Sequence, residues 1–169
     1  MKKKLVIVGA GGHGKVVKEA ALLQMEFDVI GFTDDRESGN EILGTLSDFL
    51  SGKINADYFV VAIGNNEARK NIFEKLSVNH EAAVILHPSA VISASAKIGR
   101  GTVVLANAVI NAEAIIGENC IINSLSLIDH QSFIGNHSHI AQGAIVGSNV
   151  KVKDNCTTEL GERIKSFSA

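Results

Sequence analysis

From residue 86 onward an aliphatic side chain stands at every sixth position: Leu86, Ile92, Ile98, Val104, Ile110, Ile116, Ile122, Ile128, Ile134, Ile140, Val146 and Val152. Four residues beyond each comes Ala90, Ala96, Thr102, Ala108, Ala114, Cys120, Ser126, Ser132, Ser138, Ala144, Val150 or Cys156, small in every case but Val150. A fixed period of six predicts a parallel β-helix, in which each hexad supplies one short strand and one turn with its aliphatic residue pointing inward. Three hexads make one triangular coil. Residues 86–157 then hold about four coils whose aliphatic ladders stack at about 4.8 Å. Thr158 interrupts the column, so the repeat is expected to stop at Cys156 and residues 158–169 to form a short polar tail that caps the last strand edge.

Before Pro88, the single proline, the pattern is different. Short aliphatic runs at 4–8, 28–32 and 58–63 read as buried strands, and 15–24, 47–51 and 66–76 read as helices between and after them. Strands alternating with helices imply a parallel sheet. Some 85 residues are half of a full dinucleotide-binding fold, enough for one mononucleotide's worth of sheet. The expected architecture is α/β plus all-β: a small Rossmann-like parallel-sheet domain over 1–85, a parallel β-helix over 86–157, and the tail.

Composition narrows the partners. Hydrophobic residues make up 46% of the chain and aromatics only 5%, with no Trp, so the core must be aliphatic, as stacked coils require. The net charge is −2 and no basic cluster exists beyond Lys2, Lys3 and Lys4, which argues against a nucleic-acid partner. Residues 5–10 are too short for a signal core and no run approaches the roughly 20 apolar residues of a membrane span, so a cytoplasmic protein is expected. Cys120 and Cys156 lie two whole coils apart, which puts their Cα atoms about 9 to 10 Å apart and predicts two buried free thiols.

The chemistry-bearing residues fall in both halves. Gly9, Gly11 and Gly14 form G-x-G-x-x-G between a strand and a helix, which lets helix-start amides approach phosphate oxygens. The same spacing occurs in NAD enzymes, and Asp34, twenty residues past Gly14, stands where a ribose-binding acid would. Against NAD, the chain offers no second mononucleotide half. A plain tight turn is the remaining reading. Asp34 and Asp35 also fit a solvated turn, and Arg69 fits a surface ion pair as well as a ligand contact. His137 and His139 form H-x-H, but no third ligand is evident, so no metal is expected. His130, two residues past inward Ile128, is placed outward on a strand face, open to a neighbouring subunit. A neutral histidine there suits a general base near pH 7.

Four segments together carry a family resemblance: 7–15 (I-V-G-A-G-G-H-G-K), 31–35 (G-F-T-D-D), 62–69 (A-I-G-N-N-E-A-R) and 123–135, which contains I-D-H-Q. In these the chain resembles the NeuD and PglD type of sugar acetyltransferases, sialic-acid O-acetyltransferases and amino-sugar-nucleotide N-acetyltransferases with left-handed β-helices. The resemblance implies an acetyl-CoA-dependent enzyme without a metal, a homotrimer in which coenzyme A binds between adjacent β-helices. The expected reaction is N-acetylation of a nucleotide-activated amino sugar, with O-acetylation of a sialic acid as the alternative. It assigns Gly9, Gly11, Gly12, His13, Gly14, Asp34, Asp35, Gly64, Asn65 and Asn66 to the sugar substrate. His130 becomes the catalytic base, Asn123 an active-site residue, and His139, Gly143 and Gly147 the acetyl-CoA contacts. Where the family has an acidic residue after the base, this chain has Gln131, whose oxygen remains able to accept an imidazole N–H; Asp129 should point the other way. Gln131 and the early end of the repeat together motivate a third reading, a shortened sugar-nucleotide-binding protein without catalysis.

Overall fold

The computed structural model describes residues 2–165. Its first half runs β1 (Lys3–Val8), α1 (Gly12–Gln24), β2 (Phe27–Thr33), β3 (Ile42–Gly44), α2 (Leu46–Leu50), β4 (Tyr58–Val61), α3 (Asn66–Leu76) and β5 (Glu81–Ala82). All five strands are parallel, in the order β3-β2-β1-β4-β5. Alternation along β1 feeds two cores. Leu5 and Ile7 pack with Val17, Ala20 and Ala21 of α1, while Val6 and Val8 pack with Phe49, Phe59, Phe73 and Leu76 on the other face. Strands β3 and β5 escape a pattern-based reading because three and two residues hold no alternating run. Helix α1 begins at Gly12, three residues earlier than expected. It crosses β1 so closely that a Cβ on Gly14 would lie 2.0 Å from the Gly9 carbonyl oxygen.

From Ile85 the chain winds into a parallel β-helix with three faces. The first stacks Ile85–Leu86, Val103–Val104, Ile121–Ile122 and His139–Ile140; the second stacks Val91–Ile92, Val109–Ile110, Leu127–Ile128, Ile145–Val146 and Arg163–Ile164. The third stacks Lys97–Ile98, Ile115–Ile116, Phe133–Ile134 and Lys151–Val152. Paired residues stand one coil of three hexads apart, as Ile110 and Ile128 do. The aliphatic column from Val104 to Val152 is buried in one core with most of the small column, flanked by half-buried Leu86, Ile92 and Ile98. Buried hydroxyls need partners, and those of the small column find them in backbone carbonyls of the β-helix. Thr102 donates to Gly117 O (2.8 Å), Ser132 to Gly147 O (2.7 Å) and Ser138 to Lys153 O (3.0 Å). A third column of period six marks the corners. Gly101, Asn107, Glu113, Asn119, Leu125, Gln131, His137, Gly143, Asn149, Asn155 and Gly161 all have left-handed backbone, which Gly and Asn adopt with least strain.

The repeat does not stop at Cys156. Thr157 bridges to His139, Thr158 is buried in the inward column, and Arg163–Ile164 pairs with Ile145–Val146. A threonine serves at this position because its Oγ1 accepts the Ala141 N–H (2.8 Å), tying it to the coil below. Residues 158–165 therefore form part of a fifth coil rather than a polar tail; 166–169 lie outside the described residues. Both thiols are free, as expected, but only Cys120 is buried. Cys156 is half-buried, having less of the coil stacked on it.

Helix α1 lies along the first face. Its last residue, Gln24, accepts from Leu86 N on the lowest rung (2.9 Å), and its second residue, His13, stacks on His139 of the fourth rung at 6.5 Å between centroids. Thirteen residues at about 1.5 Å each reach about 20 Å, enough to span three rung steps of about 4.8 Å. Ile85, Val103 and Leu105 join the core under α1.

Candidate active site

A cleft of about 580 Å³ opens at the carboxyl ends of β1 and β4, where the strand order reverses. This is the place at which open α/β sheets bind ligands. Gly9, with φ +106°, turns the chain out of β1, and Gly11 and Gly12 have open space where a Cβ would be. The N-terminus of α1 has no side-chain cap and no acid in its first turn, so its amide N–H groups face the cleft unclaimed. Gly64 and Asn65 form part of the opposite wall, and Asn65 Oδ1 also caps α3 by accepting Ala68 N–H at 2.9 Å.

Asp34 and Asp35 line the same cleft, Asp34 with both carboxylate oxygens engaged and Asp35 with one. Asp34 accepts Ala10 N–H (2.8 Å), Arg36 N–H (2.9 Å) and Glu37 N–H (3.0 Å); Asp35 accepts Leu46 N–H (3.0 Å). Burial pushes the Asp34 carboxyl up, but the three amides outweigh it and hold it below its ordinary range. Two residues expected in the cleft stand elsewhere. Gly14 is a packing glycine under β1, and the Asn66 side chain turns away to the β-helix, where Nδ2 donates to Asn155 O (3.1 Å), Cys156 O (3.1 Å) and Thr157 Oγ1 (2.9 Å).

Beside the cleft, the two halves bring His13, His139 and Asn123 together. Asn123 Oδ1 accepts Ser124 N–H (2.9 Å), which orients its amide so that Nδ2 donates to His139 Nε2 (3.0 Å). Burial, then His139 and Arg69, push the His13 imidazole down to about 4. Burial and Arg69 also lower His139, against an opposing pull from the Gly64 carbonyl. Both rings are therefore neutral at pH 7.

His130 stands at a different corner, between the second and third faces, exposed and in a turn rather than on a strand face. Its Nδ1 is 3.3 Å from Gln131 Oε1, while Asp129 Oδ1 accepts the backbone N–H of His130 (2.8 Å) and Asn111 Nδ2 (2.8 Å) instead of reaching the ring. Within one chain His130 meets neither the cleft nor Asn123. Gly143 and Gly147 are not free donors: their N–H groups bond to Ser124 O (3.0 Å) and Ile164 O (2.8 Å), linking rungs. His137 pairs with Asn119 (2.9 Å) and sits edge-on to Phe73, so the two histidines of H-x-H have separate neighbours.

Arg69, a candidate for a surface ion pair, is instead 1% exposed. Its guanidinium donates to Ile63 O, Gly64 O, Asn66 Oδ1, Asn119 O and His137 O at 2.7 to 3.2 Å, clasping the cleft loop to the β-helix. The available signal was the stripe Asn66, Arg69, Phe73 and Leu76, spaced three and four apart on the buried side of α3. Among the described residues no helix is long and apolar enough to cross a membrane.

Comparison with known proteins agrees with this architecture. Residues 4–76 match the PglD N-terminal domain, and residues 69–165 match the GMPPB C-terminal domain. A UDP-N-acetylbacillosamine N-acetyltransferase of Bacillus subtilis is 34% identical over 119 residues, 61% of this chain and 51% of that protein, so the match spans about half the length of that curated relative. Among solved structures, the acetyltransferase domain of PglB from Neisseria gonorrhoeae superposes with a TM-score of 0.83 at 32% identity, covering 96% of this chain and 91% of that one. The same domain has been solved in complex with acetyl coenzyme A. PerB from Caulobacter crescentus, solved with CoA and GDP-perosamine, shares the fold at TM-score 0.83, with 24% identity and coverage of 96% and 91%. A Rossmann-like domain followed by a left-handed β-helix is thus shared by this chain and these solved structures, and the chain belongs to the NeuD/PglD-type family of sugar acetyltransferases.

Proposed function

We propose that this protein transfers an acetyl group from acetyl-CoA to the amine of a nucleotide-activated amino sugar. The observation that carries the reading is a coincidence of place: an uncapped helix N-terminus suited to a diphosphate opens beside the neutral His13, His139 and Asn123 cluster. The named activity of the Bacillus subtilis relative and the acetyl-CoA complex of the PglB domain support the same chemistry.

In this reading the first-turn amides of α1, with Gly11 and Gly12, hold the diphosphate, and Gly64 and Asn65 bound the sugar. His130 takes a proton from the amine as its nitrogen attacks the thioester carbon. The tetrahedral intermediate then expels the coenzyme A thiolate, which takes that proton back from His130. Gln131 Oε1 accepts from Nδ1, leaving the Nε2 lone pair outward to act as base. His130 and the cleft stand at different corners, so a second copy is required to bring them together. The outward residues of the second face, Val91, Val109, Leu127 and Ile145, form an aliphatic ladder running up to the His130 corner, which suits packing in a homotrimer.

The test is acetyl-CoA-dependent thiol release with a panel of UDP- and GDP-linked amino sugars and free sialic acids. Turnover with a nucleotide amino sugar that falls by about 10²- to 10⁴-fold in His130→Ala, with sugar-nucleotide affinity kept, is the expected result. Turnover confined to sialic acid makes the protein an O-acetyltransferase. Binding of a sugar nucleotide with no turnover on any acceptor makes it a binding protein.

A further inference from the structure

The guanidinium of Arg69 is a buried charge without an acid. All of its acceptors are neutral: the Ile63, Gly64, Asn119, His137 and Ser138 carbonyls and the Asn66 amide oxygen. The ion pairs among the described residues lie elsewhere, at Lys18–Glu41, Lys53–Asp48 and Arg100–Glu118. An uncompensated buried cation is costly, and satisfying carbonyls does not by itself call for one, since a neutral amide donates as well.

The geometry suggests what the charge does. Asn119 and His137 are left-handed corner residues one coil apart, and their carbonyls turn outward to Arg69 Nε (3.0 Å) and Nη2 (2.7 Å). The other edge of the fork takes Ile63 O (3.0 Å) and Gly64 O (3.2 Å), the wall of the cleft. One planar group thereby fixes that wall against the rung that carries His139, two residues past His137. We propose that Arg69 is a positioning residue for the reaction, setting the His13–His139 pair against the Gly64 wall of the cleft through both its hydrogen-bond fork and its uncompensated charge.

The charged and titratable groups packed on the pair are few. His13 faces His139 and Arg69; His139 faces His13, Arg69, the Asn123 amide and the Gly64 carbonyl; Cys120 lies behind the guanidinium, its thiol pushed up to about 11 by burial. Glu74, Lys70 and Asp154 act on His137 instead. Among the described residues no carboxylate therefore draws a proton onto either ring, and Arg69 repels one from both. The pair stays neutral, its His139 ring held between the Asn123 amide and the Gly64 carbonyl, with a fixed positive charge behind it as the oxyanion develops. This last step rests on the acetyltransferase reading; the protonation of the pair does not.

Histidine-selective NMR titration from pH 3.5 to 8 separates the two. In the wild type, resonances assigned through His13→Gln and His139→Asn should titrate below the ordinary histidine value. Arg69→Gln should raise both midpoints, by less than burial lowers them, and so should citrulline at position 69, which keeps the side chain's shape and most of its donors without the charge. The acid limb of the kcat/KM profile should move up with them. Arg69→Lys keeps the charge and loses the fork: the midpoints should stay while KM for the sugar nucleotide rises several-fold more than kcat falls. Wild-type midpoints near the ordinary value, or midpoints that ignore loss of the charge in the citrulline variant, would overturn the proposal. A wild type that turns over no acceptor overturns the acetyltransferase reading, while the midpoints still decide the role of Arg69.

Discussion

Two neighbouring residues show how far a single position reaches in this molecule. Gly14 has no room for a methyl group against the Gly9 carbonyl, so Gly14→Ala should push α1 off β1, lower stability by about 1 to 3 kcal/mol and weaken sugar-nucleotide binding with it. Thermal melting and calorimetric titration check the two effects together. His13 makes a pH prediction with a definite sign. Its folded value, about 4, lies below its ordinary 6.5, so between those limits the unfolded chain binds more protons and stability falls as pH is lowered. Each unit of that difference is worth about 1.4 kcal/mol at most, so the urea midpoint should be lower at pH 5 than at pH 7, and His13→Gln should shrink the gap. At this scale the sequence was half legible. The glycines and His13 stand out by spacing, but Asp34 and Asp35 gave no sign that backbone amides would engage them. Asn66 and Arg69 sat in a motif that suggested ligand contacts, while their fate was decided by β-helix carbonyls far along the chain, at Asn119, His137, Asn155 and Cys156.

The coil is the unit at the next scale. Its inward columns were legible because burial repeats strictly at every sixth position, and its end was not, because one polar residue was read as a break. Thr158 keeps the column by bonding to the rung below, which residue type alone does not announce. The left-handed corners were written more faintly, since Asn and Gly share that column with Glu, Leu, Gln and His. Asn107 is an exposed member of it. Asn107→Val should cost about 1 to 2 kcal/mol from backbone strain alone, whereas Asn107→Gly should be nearly neutral, as paired denaturation curves would show.

For the whole molecule, the division into an α/β half and a coiled half was visible in the change of pattern, and the way they dock was not. Nothing in the local pattern says that α1 lies along one face of the prism, or that the cleft and His130 stand at different corners. The assembly is where that matters most. Leu127→Arg, in the aliphatic ladder of the second face, should convert the proposed trimer to monomers in light scattering and abolish turnover while leaving sugar-nucleotide binding intact. Retained trimers with this substitution would place the contact elsewhere. The docking of α1 also works as a gauge. Gln24 grips the first rung and His13 arrives at the fourth, so the helix measures the height at which the cleft meets the cluster. Height along a β-helix comes only in whole steps of about 4.8 Å, whereas a helix lengthens by about 1.5 Å per residue. Adding or removing one coil below His139 would need about three residues of compensation in α1, so the two halves can change length only by increments that keep these two scales in step.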